Sequence, residues 1–259
     1  MRIATWNVNS LKARLPRVEE WLEYAQPDVL CLQETKLADK NWPAMTFGAL
    51  GYESVHHGYN QWNGVAILSR VGIEDPQNGF GPEVEDPYAD DARMLTATCG
   101  GIRIASVYCP NGREVGTEFY DRKLVWFERL AEWCADLHEP TDPLVVTGDF
   151  HVAPEDRDVW SVQAFRGATH VTAPERAAVR TLEDWGLVDT FRRLYDQDGL
   201  YSYWDYRGGD FHQGRGMRID LVLATEPVAE RVTWAIVDRN ARKGKQPSDH
   251  APVVVDLAD

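Results

Sequence analysis

LVVTGDFH, residues 144–151, places a short run of apolar and β-branched residues directly before a glycine and an aspartate. Such a run is typical of a buried strand, so the carboxylate stands at the strand's C-terminal end. Similar strand ends recur, since Asn7 follows RIATW, Glu34 follows DVLCLQ and Tyr108 follows IRIASV. Folds of the α/β type commonly gather such ends along one rim, so we expect these side chains to line one cleft.

Two more polar positions extend this pattern. Asp249 and His250 lie in a loop just before the final apolar run, and Asp220 opens the strand that follows RGMRI. Each residue alone has an ordinary explanation as a turn residue, a cap or a member of a local hydrogen bond. Their joint occurrence in this order favours a catalytic cleft that combines carboxylates, a phenol and an imidazole.

Short apolar runs alternate with longer helical patterns over the whole chain. The predicted strands are 2–7, 28–34, 51–57, 64–69, 93–98, 102–108, 144–147, 219–224, 231–237 and 251–257. The predicted helices are 16–24, 117–138 and 174–185, and Thr117 can cap the longest of them. The pair Gly100 and Gly101 predicts a tight hairpin turn. No repeat or Pro/Ser linker interrupts the chain, so we expect one domain over residues 1–259, with helices covering β-sheet faces.

Composition limits the possible partners. The formal net charge of −14 argues against nucleic-acid binding driven by the overall charge of the protein. Any DNA-binding surface therefore has to be a local basic rim. The four cysteines have no CxxC spacing and are expected to be buried, reduced thiols. The first residues, MRIATWNVNS, lack the apolar segment of a signal peptide, and no run is long enough to span a membrane. We therefore expect a cytoplasmic protein with no membrane partner.

Eight segments closely resemble the motifs of the exonuclease III and AP endonuclease family, within the exonuclease–endonuclease–phosphatase superfamily. In chain order they are WNVNSLKAR, LQETK, YCPNGRE, GDFHVAPED, WGLVDTFR, YWDYR, RGMRIDLVLA and PSDHAPVV. The resemblance implies a four-layer α/β sandwich of the DNase I type, with two mixed β-sheets packed face to face and helices outside. It also implies a DNA repair phosphodiesterase that uses Mg²⁺ or Mn²⁺. Such an enzyme acts as a monomer on duplex DNA, with AP endonuclease activity at abasic sites and exonuclease and 3′-phosphatase activity at 3′ ends.

The resemblance further implies roles for the cleft residues. Glu34 resembles the main metal carboxylate, with Asn7 and Asp249 nearby to ligate or orient. Asp149 resembles the residue beside the metal that activates or orients the attacking water. Tyr108 resembles a hydrogen-bond donor on the phosphate side, or a phenolate that stabilises charge.

The imidazole of the cleft has two possible roles under this resemblance. His250, held by Asp220, resembles the group that polarises the scissile phosphate. Alternatively, the pair of Asp220 and His250 acts as the general base. The sequence leaves this choice open.

One catalytic position departs from the family pattern. The family has Asn two residues after the strand-end Asp, whereas this chain has His151. An imidazole can replace the amide donor and add a pH-dependent step near its own titration range. It could also ligate a softer metal such as manganese or zinc, or misplace the water. Two alternatives to an active DNA nuclease therefore remain: a catalytically weakened nucleic-acid-binding regulator, and a phosphatase acting on small phosphoesters.

Basic residues flank the acidic motifs, as expected for a positive rim around a metal cleft. The main predicted DNA contacts are Arg113, Arg207 and Arg215. Further members of the predicted rim are Lys12, Arg14, Arg218, Arg242, Lys243 and Lys245. Tyr203, Trp204 and Met217 are expected to form an apolar pocket for a sugar without a base, which would exclude normal nucleotides by shape.

Overall fold

The computed structural model describes residues 1–259 and contains twelve β-strands and six α-helices. The strands are β1 Arg2–Asn7, β2 Val29–Gln33, β3 Glu53–His57, β4 Val65–Ser69, β5 Glu74–Asn78, β6 Met94–Cys99, β7 Ile102–Tyr108, β8 Leu144–Asp149, β9 Leu187–Asp189, β10 Asp220–Thr225, β11 Val232–Val237 and β12 Val253–Leu257. The helices are α1 Leu11–Ala25, α2 Ala44–Ala49, α3 Glu118–Leu137, α4 Ala173–Trp185, α5 Asp210–Gln213 and α6 Glu226–Ala229. Four 3₁₀ turns at Asp39–Asn41, Asp156–Asp158, Arg207–Gly209 and Arg239–Arg242 complete the elements.

The strands form two six-stranded mixed sheets. The first has the order β11-β12-β1-β2-β4-β3, and the second has the order β5-β6-β7-β8-β10-β9. Each sheet contains one parallel pair, β1 with β2 in the first sheet and β7 with β8 in the second. The remaining neighbours are antiparallel.

Alternation of side chains along the strands creates the layers. In β1, Ile3 packs between the two sheets, whereas Ala4 and Trp6 belong to the core under α1. In β8, Val145 packs between the sheets and Val146 packs toward α3 and α4. This period of two is what a strand buried on both faces requires. The predicted four-layer sandwich, with helices on both outer faces, is confirmed.

Strand register places the predicted cleft residues in rows at one end of the sandwich. Tyr108 is paired with Asp149, and Asp149 is paired with Asp220, so the three stand side by side across the second sheet. Asn7 ends the neighbouring row of the first sheet, opposite Gln33. Gly148 is required in this register because a Cβ there would lie 1.9 Å from the carbonyl oxygen of Val107.

The local predictions differ from the structure in several places, and the short helices α2, α5 and α6 were not predicted. Helix α1 begins at Leu11 and accommodates Pro16 inside the helix, on the exposed face, whereas the prediction started the helix at that proline. Thr117 stands at the N-cap of α3, but its hydroxyl donates to the carbonyl of Glu114 and makes no cap hydrogen bond. The strands β5 and β9 were not predicted. The Gly100-Gly101 hairpin turn is confirmed, with positive φ at both residues.

The remaining global expectations concern cysteines and membranes. All four cysteines are buried and free, as predicted. None of the helices combines the length and the apolar character needed to cross a membrane.

Candidate active site

The amide of Asn7 connects the two sheets at the end of the sandwich. Its Nδ2 donates to Glu34 Oε1 at 2.8 Å and to Asp149 Oδ2 at 2.9 Å. Its Oδ1 accepts the backbone N–H of Asn9 at 3.0 Å. Both ends of the amide are therefore engaged, and its Nδ2 joins the two carboxylates.

Glu34 lies at the opening of the cleft and carries a negative charge. Its Oε2 lies 2.9 Å from Lys36 Nζ. Burial alone would raise the pKa of Glu34, but the Lys36 ammonium and the Asn7 amide outweigh burial and hold the pKa below its usual value. Lys36 Nζ also donates to Asn9 Oδ1 at 2.6 Å, and Asn9 Nδ2 donates to Asp249 Oδ1 at 3.1 Å. Asp249 is therefore linked to Glu34 through two intervening side chains.

His250 lies between two buried carboxylates. Its Nδ1 donates to Asp220 Oδ2 at 2.8 Å, and its Nε2 lies 3.7 Å from Asp149 Oδ2. The hydroxyl of Ser202 donates to the same Asp220 oxygen at 2.6 Å. The backbone of His250 is tied to Ser248 Oγ, which in turn donates to the Asn7 carbonyl at 2.7 Å.

The charges of these buried groups depend on one another. Burial would lower the pKa of His250, but the carboxylates of Asp220 and Asp149 outweigh it and raise the pKa to about 10. The imidazole is therefore a cation at neutral pH. Burial, reinforced by the Asp220 charge, raises the pKa of Asp149 above its ordinary value, although His250 opposes this shift. A carboxylate with a raised pKa is suited to accept a proton near neutrality.

Tyr108 is a neutral phenol in this environment. Burial, together with the negative charges of Glu34 and Asp149, raises its pKa well above the ordinary value. Arg93 Nη1 donates to the Tyr108 carbonyl at 3.3 Å, and the guanidinium lies over the ring. This shift favours the neutral phenol, so of the two roles expected of Tyr108 it supports the hydrogen-bond donor.

His151 also points into the cleft. Its Nδ1 donates to the carbonyl of Cys109 at 2.8 Å, and its Nε2 lies 3.5 Å from Asp149 Oδ2. Burial, followed by the Lys123 ammonium, lowers the pKa of His151 to about 4. A pKa of this size favours a neutral ring at pH 7 and argues against the expected pH-dependent step near neutrality. Its other nitrogen, Nε2, is the one that faces the Asp149 carboxylate.

The donor atoms of the cleft fit a divalent cation. Asp149, Asp220 and His250 are all buried and place ligand atoms within 4.8 Å of one another, so this cluster could hold a metal ion. Asp220 Oδ1 is buried without a hydrogen-bond partner. Since His250 Nδ1 is engaged with Asp220, the groups left for a cation are mainly oxygens, including those of Glu34 nearby. Such an oxygen-rich set matches the preference of Mg²⁺.

A cavity of about 340 Å³ adjoins the catalytic cleft and contains most of the predicted DNA contacts. Its lining includes Arg113, Tyr203, Arg207, Arg215 and Met217. The ring of Tyr203 lies 4.8 Å from that of His250, so one wall of the cavity is shared with the catalytic cleft.

Several predicted DNA contacts are not accessible. Trp204 is 0% exposed and packs against Phe211, so its predicted contact with DNA is wrong. Arg218 is also buried, paired with Asp158 and Asp189, and belongs to the core.

Other members of the rim are accessible to different degrees. Arg242 is buried and donates to the carbonyl of Ser248, so it supports the loop that carries His250. Arg207 and Arg215 lie at the cavity, but Asp205 and Asp210 respectively offset their charges. The lysines at 12, 243 and 245 are exposed.

The structure places further residues at the site that sequence reasoning missed. Lys36 and Asn9 complete the link from Glu34 to Asp249, and the quoted motifs LQETK and WNVNS already contained them. Trp160 and His170 line the cavity, and the ring of His170 lies 5.4 Å from that of His151. Both come from an irregular segment with no periodic pattern.

An exposed aromatic loop borders the metal side of the cleft. The backbone N–H groups of Thr35 and Lys36 donate to the carbonyls of Gly64 and Asn63. Trp62, next to this contact, is 63% exposed. A large exposed ring beside the cleft could stack against a base.

Comparisons with known proteins agree with this geometry. The family model described as "Endonuclease/Exonuclease/phosphatase family" matches residues 4–250. Exodeoxyribonuclease III from Haemophilus influenzae is 31% identical and the alignment covers 98% of each chain. An AP endonuclease structure from Archaeoglobus fulgidus has a TM-score of 0.95, 35% identity and 99% coverage of each chain. A 3′ phosphatase from Neisseria, solved with a product DNA hairpin, has a TM-score of 0.95, 36% identity and 100% coverage of each chain.

Proposed function

The chain belongs to the endonuclease/exonuclease/phosphatase family, and from this membership we propose that it is a metal-dependent DNA repair nuclease. Its substrates are duplex DNA with abasic sites, which it incises, and 3′ ends, from which it removes nucleotides and phosphate groups. The observation that carries the proposal is the line Asp220–His250–Asp149, joined through Asn7 to Glu34 at one end of the sandwich.

Hydrolysis of a phosphodiester requires a base for water and positive groups for the developing charge. Asp149, with its raised pKa, accepts the proton of the attacking water. His250 is held as a cation by Asp220 and donates from Nε2 to a non-bridging phosphate oxygen. This charge state supports the polarising role of His250 over the alternative in which the Asp220–His250 pair is the general base. Tyr108 supplies a second neutral donor.

We propose Mg²⁺ as the cofactor, with Mn²⁺ as a substitute. Glu34 would be its main ligand, with Asp149, Asp249 and His151 Nε2 on its other sides, and Asn7 would orient the carboxylates. When bound, the cation would polarise the phosphate and neutralise charge on the leaving oxygen. The hydrogen bonds from the Asn7 amide to Glu34 and Asp149, which hold these two carboxylates close together, support this assignment.

DNA would be held by a local rim rather than by net charge. Arg113 lies over the ring of Phe119, and its guanidinium has no carboxylate partner. Together with Arg207 and Arg215 it would bind backbone phosphates beside the cavity. Tyr203 and Met217, both on the cavity wall, would contact the sugar of an abasic nucleotide. We also propose a monomer, because one chain supplies every group of the cleft, and a cytoplasmic location, because all four thiols are free.

The proposal is tested with three DNA duplexes, carrying an internal abasic-site analogue, a 3′-phosphate or a recessed 3′ end. Each is incubated with Mg²⁺, with Mn²⁺ and with EDTA. We expect incision and 3′ processing with either metal and none with EDTA. Glu34→Ala should abolish cleavage and weaken Mn²⁺ binding measured by calorimetry, whereas Glu53→Ala, on the exposed edge strand β3, should behave as wild type.

The same experiment separates the two alternative functions. DNA binding without cleavage under any metal would favour the nucleic-acid-binding regulator. Hydrolysis of small phosphoesters without any action on the three duplexes would favour the phosphatase. Either result would refute the nuclease proposal.

A further inference from the structure

A buried ion pair lies directly behind the active site. Lys123, on α3, has a completely buried side chain, and its Nζ donates to Glu175 Oε1 at 2.5 Å. The same ammonium donates to the carbonyl of His151 at 2.8 Å and approaches the carbonyl of Asn111 at 3.4 Å. Its partners thus come from the loop after β7, the loop after β8 and the helix α4.

Glu175 ties down a further segment of the cavity wall. Its Oε1 also accepts the Thr169 hydroxyl at 2.5 Å and the His170 backbone N–H at 3.0 Å. Its Oε2 accepts the N–H and the hydroxyl of Thr172, which completes the capping box at the start of α4. One carboxylate therefore fixes both the helix start and the residues that precede it.

His151 depends on this pair for its backbone conformation. Its φ is +51°, in the left-handed region that few non-glycine residues adopt. Its N–H donates to Asp149 Oδ1 at 3.0 Å, and its carbonyl accepts from Lys123. The ring is fixed separately by the Cys109 carbonyl. The Lys123 bond is the one that holds the carbonyl end of this conformation in place.

We propose that Lys123 and Glu175 are positioning residues, which set the catalytic rate by holding His151 and the adjoining cavity wall without touching the substrate. The inference rests on the proposed nuclease function and adds these residues to its machinery. A buried ion pair often contributes little net stability compared with apolar residues of similar volume. We therefore infer that the Lys123–Glu175 pair serves mainly to hold the loops that it connects.

The test compares Lys123→Met, Lys123→Met/Glu175→Gln and Leu130→Ala in cleavage of the abasic duplex. The double variant removes both charges together and keeps an acceptor at 175, so it leaves no unpaired charge in the buried site and should fold better than the single variant. Leu130 is buried on the same helix and belongs to the core under the second sheet, away from the cleft, so its variant is a matched loss of packing. We expect kcat to fall roughly 10- to 100-fold in both Lys123 variants with little change in KM. Leu130→Ala should retain kcat at temperatures where it is folded.

A double-mutant cycle with His151→Ala identifies the route. If Lys123 acts through the His151 ring, Lys123→Met should cause little further loss of kcat in the His151→Ala background. Wild-type kcat in the folded double-charge variant would overturn the positioning role. Losses that multiply in the cycle would overturn the route through the His151 ring. Failure of the wild-type protein to cleave any duplex would instead overturn the proposed function, and this inference with it.

Discussion

Replacing Asp220 by Asn should convert His250 from a permanent cation into a titrating group. The Nδ1 and Oδ2 atoms are 2.8 Å apart in a buried environment. At an effective dielectric constant of about 20, charges at this separation attract by roughly 6 kcal/mol. This corresponds to about four pKa units, at about 1.36 kcal/mol for each. The pKa of His250, raised to about 10 in the wild type, should therefore fall to around 6 in Asp220→Asn.

The assay follows cleavage of the abasic duplex from pH 6 to pH 9. At pH 7.5 a group with a pKa near 6 is only about 3% protonated, so most molecules lose the cationic donor. Removal of one such donor typically lowers kcat by about 10²–10³-fold. We expect a loss of this size at pH 7.5 and partial recovery as the pH falls toward 6. The wild type should show no step from His250 in this range.

A control and an independent readout accompany this variant. Ser202→Ala removes a neutral donor to Asp220 but keeps the charge, so its loss of kcat should be less than about tenfold. The pKa of His250 is raised by folding, so its stabilisation is complete below the unfolded pKa of about 6.5 and is lost as the pH rises through the folded value. The fall in free energy of unfolding between pH 7 and pH 10 should thus be smaller in Asp220→Asn. Wild-type kcat at pH 7.5 in that variant would refute this reasoning.

Three further predictions concern residues around the cleft. His151→Asn should leave the pH–rate profile between pH 6 and pH 9 unchanged, and a new or lost step there would contradict the neutral imidazole. Because folding lowers the pKa of His151 to about 4, wild-type stability should fall as the pH drops from about 6.5 toward 4, and thermal melts should show a smaller fall in the Asn variant. Arg218→Met should lower the free energy of unfolding in urea by roughly 3–5 kcal/mol, whereas the exposed Arg207→Met should leave it nearly unchanged. An equal loss of unfolding free energy in the two variants would contradict a structural role for Arg218. Trp62→Ala should weaken duplex binding by roughly 1–3 kcal/mol with little effect on kcat, and an unchanged Kd would exclude stacking.

Local sequence patterns were sufficient to predict the centre of the fold. Residues such as Val145 and Ile104 belong to β-branched runs, and burial on both faces makes these runs continuous and easy to recognise. The strand-end rule then located Asn7, Tyr108 and Asp149, because register in a sheet aligns the ends of neighbouring strands.

The edges and loops were less predictable. Strand β5, Glu74–Asn78, is mostly polar and exposed and contains a proline, so nothing in its pattern distinguishes it from a loop. Which of the predicted DNA contacts are exposed to solvent could be learned only from the tertiary structure. Trp204 and Arg218 lie in motifs rich in charge and aromatic groups, yet both are buried because the surrounding loops fold over them. The lowered pKa of His151 likewise depends on burial by the surrounding elements and on Lys123, which lies on α3.

The two hydrogen bonds donated by the Asn7 amide predict the order in which catalytic activity and the fold are lost on heating. Asp149 ends a strand of the second sheet, whereas Asn7 and Glu34 stand at the ends of two paired strands of the first sheet. The 2.9 Å contact of Asn7 with Asp149 therefore crosses between the sheets, and the 2.8 Å contact holds Glu34 within the first half. A slippage of the halves by a single ångström would break this bridge while leaving most apolar contacts intact. On heating, catalytic activity should therefore be lost some degrees below the melting temperature measured by circular dichroism. Neither half of the sandwich expressed alone should retain catalytic activity.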